Sequence, residues 1–224
     1  VLLYHHVDEG TPAITSIAPS QFNLHLDIIE AEGFTVLPLD ELIKRSMDAS
    51  SEPETGDEKI VAITFDDAYR SIYSNAFPNL QARGWPFTIF VATRLIEEGN
   101  PNYLTWANLK KMSMHGATIA NHTDSHIHMI RRLEAETGDR WENRIRAELV
   151  TAKGLLEEHG LDSNLFAYPY GEYDAETLNL VRDLGMVGFG QQSGAIGPYS
   201  NPLLLPRYPI AGVYVGEAAF RDKL

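Results

Sequence analysis

Residues 60–67 read Ile60-Val61-Ala62-Ile63-Thr64-Phe65-Asp66-Asp67, six apolar or β-branched residues followed by two adjacent carboxylates. A short run of this kind, rich in β-branched and aromatic side chains and closed by polar residues, reads as a buried strand. Similar runs at 1–4, 35–37, 87–92, 118–120, 165–168 and 187–189 alternate with longer amphipathic segments. Helices are expected over 20–32, over 41–47 behind an Asp40 cap, and over 72–83, 106–115, 142–159 and 175–184, several of them stopping at a glycine such as Gly33, Gly84, Gly116, Gly160 or Gly185. Short strands alternating with glycine-stopped helices are the pattern of βα units feeding a mostly parallel sheet or barrel, an α/β fold.

The 224 residues suffice for one sizeable core, so a single domain over 1–224 is expected. Residues 49–58, with Ser50, Ser51, Pro53, Gly56 and four acidic residues, read as a flexible loop interrupting that domain. Residues 190–202 read as a second long loop, after which no strong helical pattern follows. The net charge of -13 repels phosphate backbones and argues against a nucleic-acid partner. No run approaches the roughly 20 apolar residues of a transmembrane helix. The opening Val1-Leu2-Leu3-Tyr4 has neither Met nor a leader pattern, and the chain reads as a trimmed or mature piece of a longer product. With no cysteine in the sequence, any metal must be held by His, Asp or Glu.

In barrels and open α/β sheets, chemistry gathers at the C-terminal ends of the strands, where the loops converge. Four polar clusters stand at such ends: His5-His6, Asp66-Asp67, His122 to His126, and Pro169-Tyr170-Gly171. If the chain stays extended past Phe65, Asp66 and Asp67 point apart, and one can bind a metal while the other handles protons; alternatively one of them caps a helix starting near Tyr69. His122 and His126, four residues apart, share one side of a helical turn and with a carboxylate would make a two-His, one-Asp set with an open position for water or substrate. The competing reading is two surface histidines on a polar loop, and His128 just beyond reads as a plain loop residue. Pro169-Tyr170-Gly171 can expose a backbone amide for an oxyanion, or can simply be a strand-ending turn. A histidine at a strand end such as His5 is often a hydrogen-bonded core residue.

Taken in order and spacing, Thr64-Phe65-Asp66-Asp67, His122-Thr123-Asp124-Ser125-His126 and Tyr168-Pro169-Tyr170-Gly171 resemble the polysaccharide deacetylases of carbohydrate esterase family 4, the NodB-homology group. The resemblance covers nearly the whole chain and implies a distorted (β/α) barrel with about seven parallel strands. It implies metal-dependent removal of N-acetyl groups from an N-acetylglucosamine-containing carbohydrate. Asp66 would be the general base, and Asp67, His122 and His126 the ligands of a divalent ion, zinc first, with cobalt, nickel or iron also compatible with the donor set. The Tyr170 amide would hold the oxyanion. An extracytoplasmic location is implied as well.

Two positions depart from the family pattern: Ala167 stands where an Arg usually orients the catalytic Asp, and Ala68 where a Gly is usual. The C-terminal Leu-x-His motif is missing, but Tyr4-His5-His6-Val7 resembles the strand-end His of the poly-β-1,6-N-acetylglucosamine deacetylase branch, which makes His5 the general acid. Arg207, in Leu205-Pro206-Arg207-Tyr208-Pro209, is the candidate substitute for the missing Arg. Two alternatives stand beside this reading. One is a glycoside hydrolase pairing Asp66 with Glu172 or Asp124; the other is an inactive sugar-binding domain.

Overall fold

The structure, a computed structural model, describes residues 1–48 and 58–224. All but the last residue of the expected flexible loop at 49–58 therefore lies outside the described residues. Eleven strands occur among the described residues: β1 (Leu2–Tyr4), β2 (His6–Val7), β3 (Ser16–Ile17), β4 (Thr35–Val36), β5 (Ile60–Val61), β6 (Ile63–Phe65), β7 (Phe87–Val91), β8 (Ala117–Asn121), β9 (Leu165–Ala167), β10 (Val187–Phe189) and β11 (Tyr208–Pro209). Seven of them form one sheet in the order β10-β9-β8-β7-β6-β1-β11, with every neighbouring pair parallel. The sheet curls into a half-barrel with helices packed around it, the distorted (β/α) barrel expected.

The membership differs from expectation in one place. The run at 35–37 stays out of the barrel, because among the described residues β4 pairs only with β5, in a separate two-stranded ladder. The 60–65 run breaks at Ala62 so that β5 can serve that ladder while β6 enters the barrel between β1 and β7. The seventh barrel strand is instead β11, two residues long and ended by Pro209.

The helices are α1 (Pro19–Ala31), α2 (Leu39–Met47), α3 (Phe77–Arg83), α4 (Thr93–Glu97), α5 (Trp106–Ser113), α6 (Gly138–Glu158), α7 (Ala175–Asp183) and α8 (Glu217–Arg221). Phe22, Leu26 and Ile29 of α1, and Ile145, Leu149 and Leu156 of α6, are fully buried at the helical spacing that turns one face inward. Asp40 is not the cap of α2: it lies inside the first turn, where a carboxylate complements the helix dipole, and Pro38 precedes the helix without a side-chain bond. The segment expected as one helix over 72–83 begins as a π-helical turn, Ile72–Ala76, before α3.

A half-barrel has a seam, here between β10 and β11. Residues 202–205 fill it: the Gly188 N–H donates to Pro202 O at 2.9 Å, the Leu205 N–H to Gly188 O at 2.7 Å and the Gly190 N–H to Leu205 O at 3.0 Å. The close approach requires glycine, since a Cβ on Gly188 would lie 2.3 Å from the Leu203 carbonyl oxygen. Among the described residues no helix is long and apolar enough to cross a membrane.

Candidate metal centre and active site

At the end of β6 the chain does not stay extended. Asp67 (φ 68°) and Ala68 (φ 57°) both adopt the left-handed conformation, which glycine tolerates best. This gives a physical reason for the usual glycine at the position of Ala68. The reversal separates the two carboxylates as extended geometry would have done, but by a turn, and neither of them caps a helix.

Asp66 is completely buried and faces Arg207, which is also completely buried. The guanidinium donates from Nη1 to Oδ1 at 2.7 Å and from Nη2 to Oδ2 at 2.8 Å, the fork-to-fork pairing that fixes both groups. Arg207 is itself held by Nε donating to Gly190 O at 2.9 Å and by the rings of Phe90 and Phe189, 5.1 and 6.0 Å from its Cζ. Burial alone would raise the Asp66 pKa, but Arg207 together with the imidazoles of His122 and His5 outweighs it and the carboxyl sits below its ordinary value. The Arg absent at Ala167 is thus matched by one arriving across the barrel seam.

Asp67 turns the other way. Its Oδ1 lies 3.3 Å from His122 Nε2 and 3.1 Å from His126 Nε2. These contacts lack hydrogen-bond alignment, and Oδ1 is a buried oxygen without a hydrogen-bond partner among the described residues. The tautomer of His122 explains why. Its Nδ1 is 2.7 Å from Ala167 O, a carbonyl that can only accept, so Nδ1 carries the proton and the neutral ring presents a lone pair at Nε2. A lone pair facing a carboxylate oxygen is repulsive unless a cation or a proton lies between them. Where no ion lies between them a proton takes that place: in their protonated forms His122 and His126 hold Asp67 well below its ordinary value against its burial, and Asp67 and Asp66 raise His122 against the effect of its own burial. The ligand atoms of Asp67, His122 and His126 all lie within 4.8 Å of one another, and the chemistry of the set fits a divalent cation.

The two histidines do not meet on a helical turn. Residues 122–126 form a loop with Thr123 (φ 66°) and His126 (φ 53°) left-handed. Asn121 Oδ1 accepts the Thr123 N–H at 2.8 Å, and Thr123 Oγ1 accepts the His126 N–H at 3.0 Å. Asp124 accepts from Thr93 Oγ1 and the Arg94 guanidinium, and Ser125 is held by Glu148. The imidazoles are thereby brought to a centroid separation of 4.9 Å.

His5 and Tyr170 line the same cavity of about 560 Å³ as Asp67, His122 and His126. Burial lowers the His5 pKa, although Asp66 and Asp67 oppose it. Tyr170 is left-handed (φ 61°) in a turn whose Gly171 and Glu172 amides donate to Tyr168 O and Pro169 O, which makes the Tyr170 amide the remaining candidate donor. His128 is no ligand: its Nδ1 is 2.8 Å from Glu172 and its ring stacks on Tyr170 at 3.9 Å. Neither Asp124 nor Glu172 lines the cavity, and Asp66 itself lies buried behind its wall, paired with Arg207, so Asp67 is the one carboxylate among the described lining residues. Sequence reasoning missed Tyr69, Tyr103 and Gln191, which line the cavity from separate loops. It also missed Asn121, whose place two residues before Thr123 is a readable turn signal.

Comparison with known proteins agrees with this geometry. The family model for polysaccharide deacetylase matches residues 54–189, more than half of the chain. The Bacillus subtilis protein YxkH, named as a polysaccharide deacetylase, is 27% identical over 221 residues, spanning 97% of this chain and 73% of its own length. A poly-β-1,6-N-acetyl-D-glucosamine N-deacetylase of Staphylococcus aureus is 24% identical over 202 residues, 88% of this chain and 68% of its own. Among solved structures, the Streptococcus pyogenes deacetylase PplD superposes with a TM-score of 0.85 at 24% identity, covering 99% of this chain and 96% of that one. IcaB from Ammonifex degensii superposes at 0.83 and 24%, covering 100% and 96%. A half-barrel of the same form and a sequence match running through the double Asp, the paired His and the Tyr-Pro-Tyr-Gly turn lead to one assignment: the chain belongs to the polysaccharide deacetylase family.

Proposed function

We propose that this protein removes N-acetyl groups from an N-acetylglucosamine-containing polysaccharide or oligosaccharide by metal-dependent hydrolysis, releasing acetate. The observation that carries the reading is the unpartnered Asp67 Oδ1, faced by two imidazole Nε2 atoms at the wall of a cavity that also receives His5. Asp67, His122 and His126 would hold a divalent cation, which when bound would supply Lewis-acid chemistry at an acyl oxygen and at water. Two imidazoles and one carboxylate suit zinc, and also cobalt, nickel or iron.

The remaining steps fall to the chain's own side chains. Asp66, kept ionised and aimed by Arg207, takes a proton from the attacking water at a carboxylate oxygen. The Tyr170 amide donates to the oxygen that becomes negative as the acyl carbon turns tetrahedral. His5 gives a proton to the nitrogen as the C–N bond breaks, and its burial makes the protonated ring a stronger acid. Acetate and a free amine leave. Acetylated polymers of this kind are met outside the cytoplasm, and that is where the reading puts the protein.

Acetate release from N-acetylglucosamine oligomers tests the proposal. Chelation should abolish release and a divalent ion restore it, and Asp67→Asn should lower it at least about 100-fold. Full activity in chelator, or in the Asp67→Asn variant, would overturn the metal assignment.

A further inference from the structure

The loop that carries the two metal-facing histidines and the turn that carries Tyr170 are joined by a pair of side chains to which the proposed hydrolysis gives no task. His128 Nδ1 donates to Glu172 Oε2 at 2.8 Å. The His128 ring lies flat on the Tyr170 ring, with centroids 3.9 Å and planes 10° apart. Tyr170 meets the His126 ring edge to face at 4.5 Å.

Each half of this pair is anchored on its own helix. Next to His128, Met129 is fully buried, and its carbonyl accepts the Trp141 Nε1–H from α6 at 2.8 Å. Two residues beyond Glu172, Asp174 caps α7, its Oδ1 accepting the Thr177 N–H at 2.8 Å. The contact of His128 with Glu172 and Tyr170 thus ties a segment fixed on α6 to a turn fixed on α7.

Tyr170 needs such a tie. Its backbone sits at φ 61° and ψ 4°, a left-handed conformation that a residue with a bulky side chain keeps only where its surroundings impose it. The turn's own bonds run from the Gly171 and Glu172 amides and leave the Tyr170 side chain unheld. The residue is exposed, and among the described residues its hydroxyl makes no hydrogen bond. Ring contacts, the closest of them with His128, hold the side chain.

We propose that His128, oriented by Glu172, is a positioning residue for deacetylation: stacked on Tyr170, it keeps that residue left-handed, with its backbone amide aimed at the acyl oxygen. The proposal rests on the deacetylase reading for the task of that amide. His128 acts through Tyr170 and needs no contact with the substrate. An oxyanion donor is used in the transition state and little in the ground state, so loosening it lowers kcat and leaves KM in place.

The test compares His128→Ala, His128→Phe and Glu172→Ala with the parent by acetate release from N-acetylglucosamine oligomers with zinc present, by zinc titration and by crystal structure. His128→Ala should lower kcat about tenfold or more with KM within about twofold, part of the roughly 100- to 1,000-fold that a whole oxyanion donor is worth. Its zinc affinity should match the parent's, because the 122–126 loop is held by Asn121 and Thr123. His128→Phe keeps a flat ring over Tyr170 and should recover most of the lost rate, and Glu172→Ala should fall between the two. In crystals of His128→Ala, Tyr170 should leave its left-handed φ for negative values. The parent's kcat in His128→Ala or Glu172→Ala, a Phe variant no faster than the Ala variant, a zinc affinity that falls with the rate, or an unmoved Tyr170 would overturn the proposal. A Tyr170 that moves in His128→Ala, in a protein whose parent releases no acetate, would uphold the positioning by His128 and overturn the catalytic reading.

Discussion

Arg207 and Asp66 form a buried ion pair on which the proposed base depends, and the energetics of such pairs make its role measurable. Removing one partner of a buried pair leaves an uncompensated charge and typically costs about 3–5 kcal/mol. With Arg207 present, the Asp66 carboxyl sits below its ordinary value, so its contribution to stability is present above the unfolded carboxyl's pKa of about 4 and is lost as the pH falls. Arg207→Met reverses the sign. Burial is then opposed only by the imidazoles of His122 and His5, so the carboxyl moves up, and the variant is penalised as the pH rises through that higher value and is relieved below about 4. Urea denaturation of chelated protein should therefore give a penalty of about 3–5 kcal/mol at pH 7 and a smaller one at pH 4; equal penalties would show that the pair is not what holds Asp66. At this scale much of the site is legible from sequence, because Asp66-Asp67 and His122 to His126 are short, local and chemically unusual. The turns at Thr123 and His126 rest on the local Asn121 and Thr123 side chains, whereas the left-handed turn at Asp67 and Ala68 is not legible, its Ala68 O being bonded by the Leu104 N–H 36 positions along the chain.

Among the elements, the seam between β10 and β11 decides whether Arg207 reaches Asp66. Gly188 allows residues 202–205 to pack against β10, and Gly190 O then accepts Arg207 Nε. Gly188→Ala would put a Cβ 2.3 Å from Leu203 O and 2.9 Å from the Tyr168 ring, so the seam must open. A destabilisation of about 1–3 kcal/mol or more is expected, with a matching loss of acetate release. Gly197→Ala, where a Cβ would meet nothing within 4 Å, is the control and should change neither; equal effects in the two variants would deny the seam its role. Alternating apolar runs and glycine stops made most of the strands and helices readable. The barrel's last strand was not, because Tyr208-Pro209 is too short for a period and ends in a residue that cannot donate to a ladder. The run at 35–37 looked no different from a barrel strand, since pairing partners are a tertiary property.

For the molecule as a whole, the half-barrel's contribution is to carry side chains from positions 5, 66, 67, 122, 126 and 170 to the C-terminal end of a single sheet, while Arg207, just before β11, reaches Asp66 from the other end. Parallel order makes this possible, because every strand then points its C-terminal loop the same way. At that end, in the proposed function, Asp67, His122 and His126 share one divalent ion. The most direct measurement is isothermal titration of metal-stripped protein with zinc, for the parent and for Asp67→Asn and His126→Ala. One ion should bind per chain, the affinity should fall as pH drops and protons compete for the imidazoles, and both variants should lose the site. Absence of stoichiometric binding in the parent, or undiminished binding in the two variants, would contradict the account.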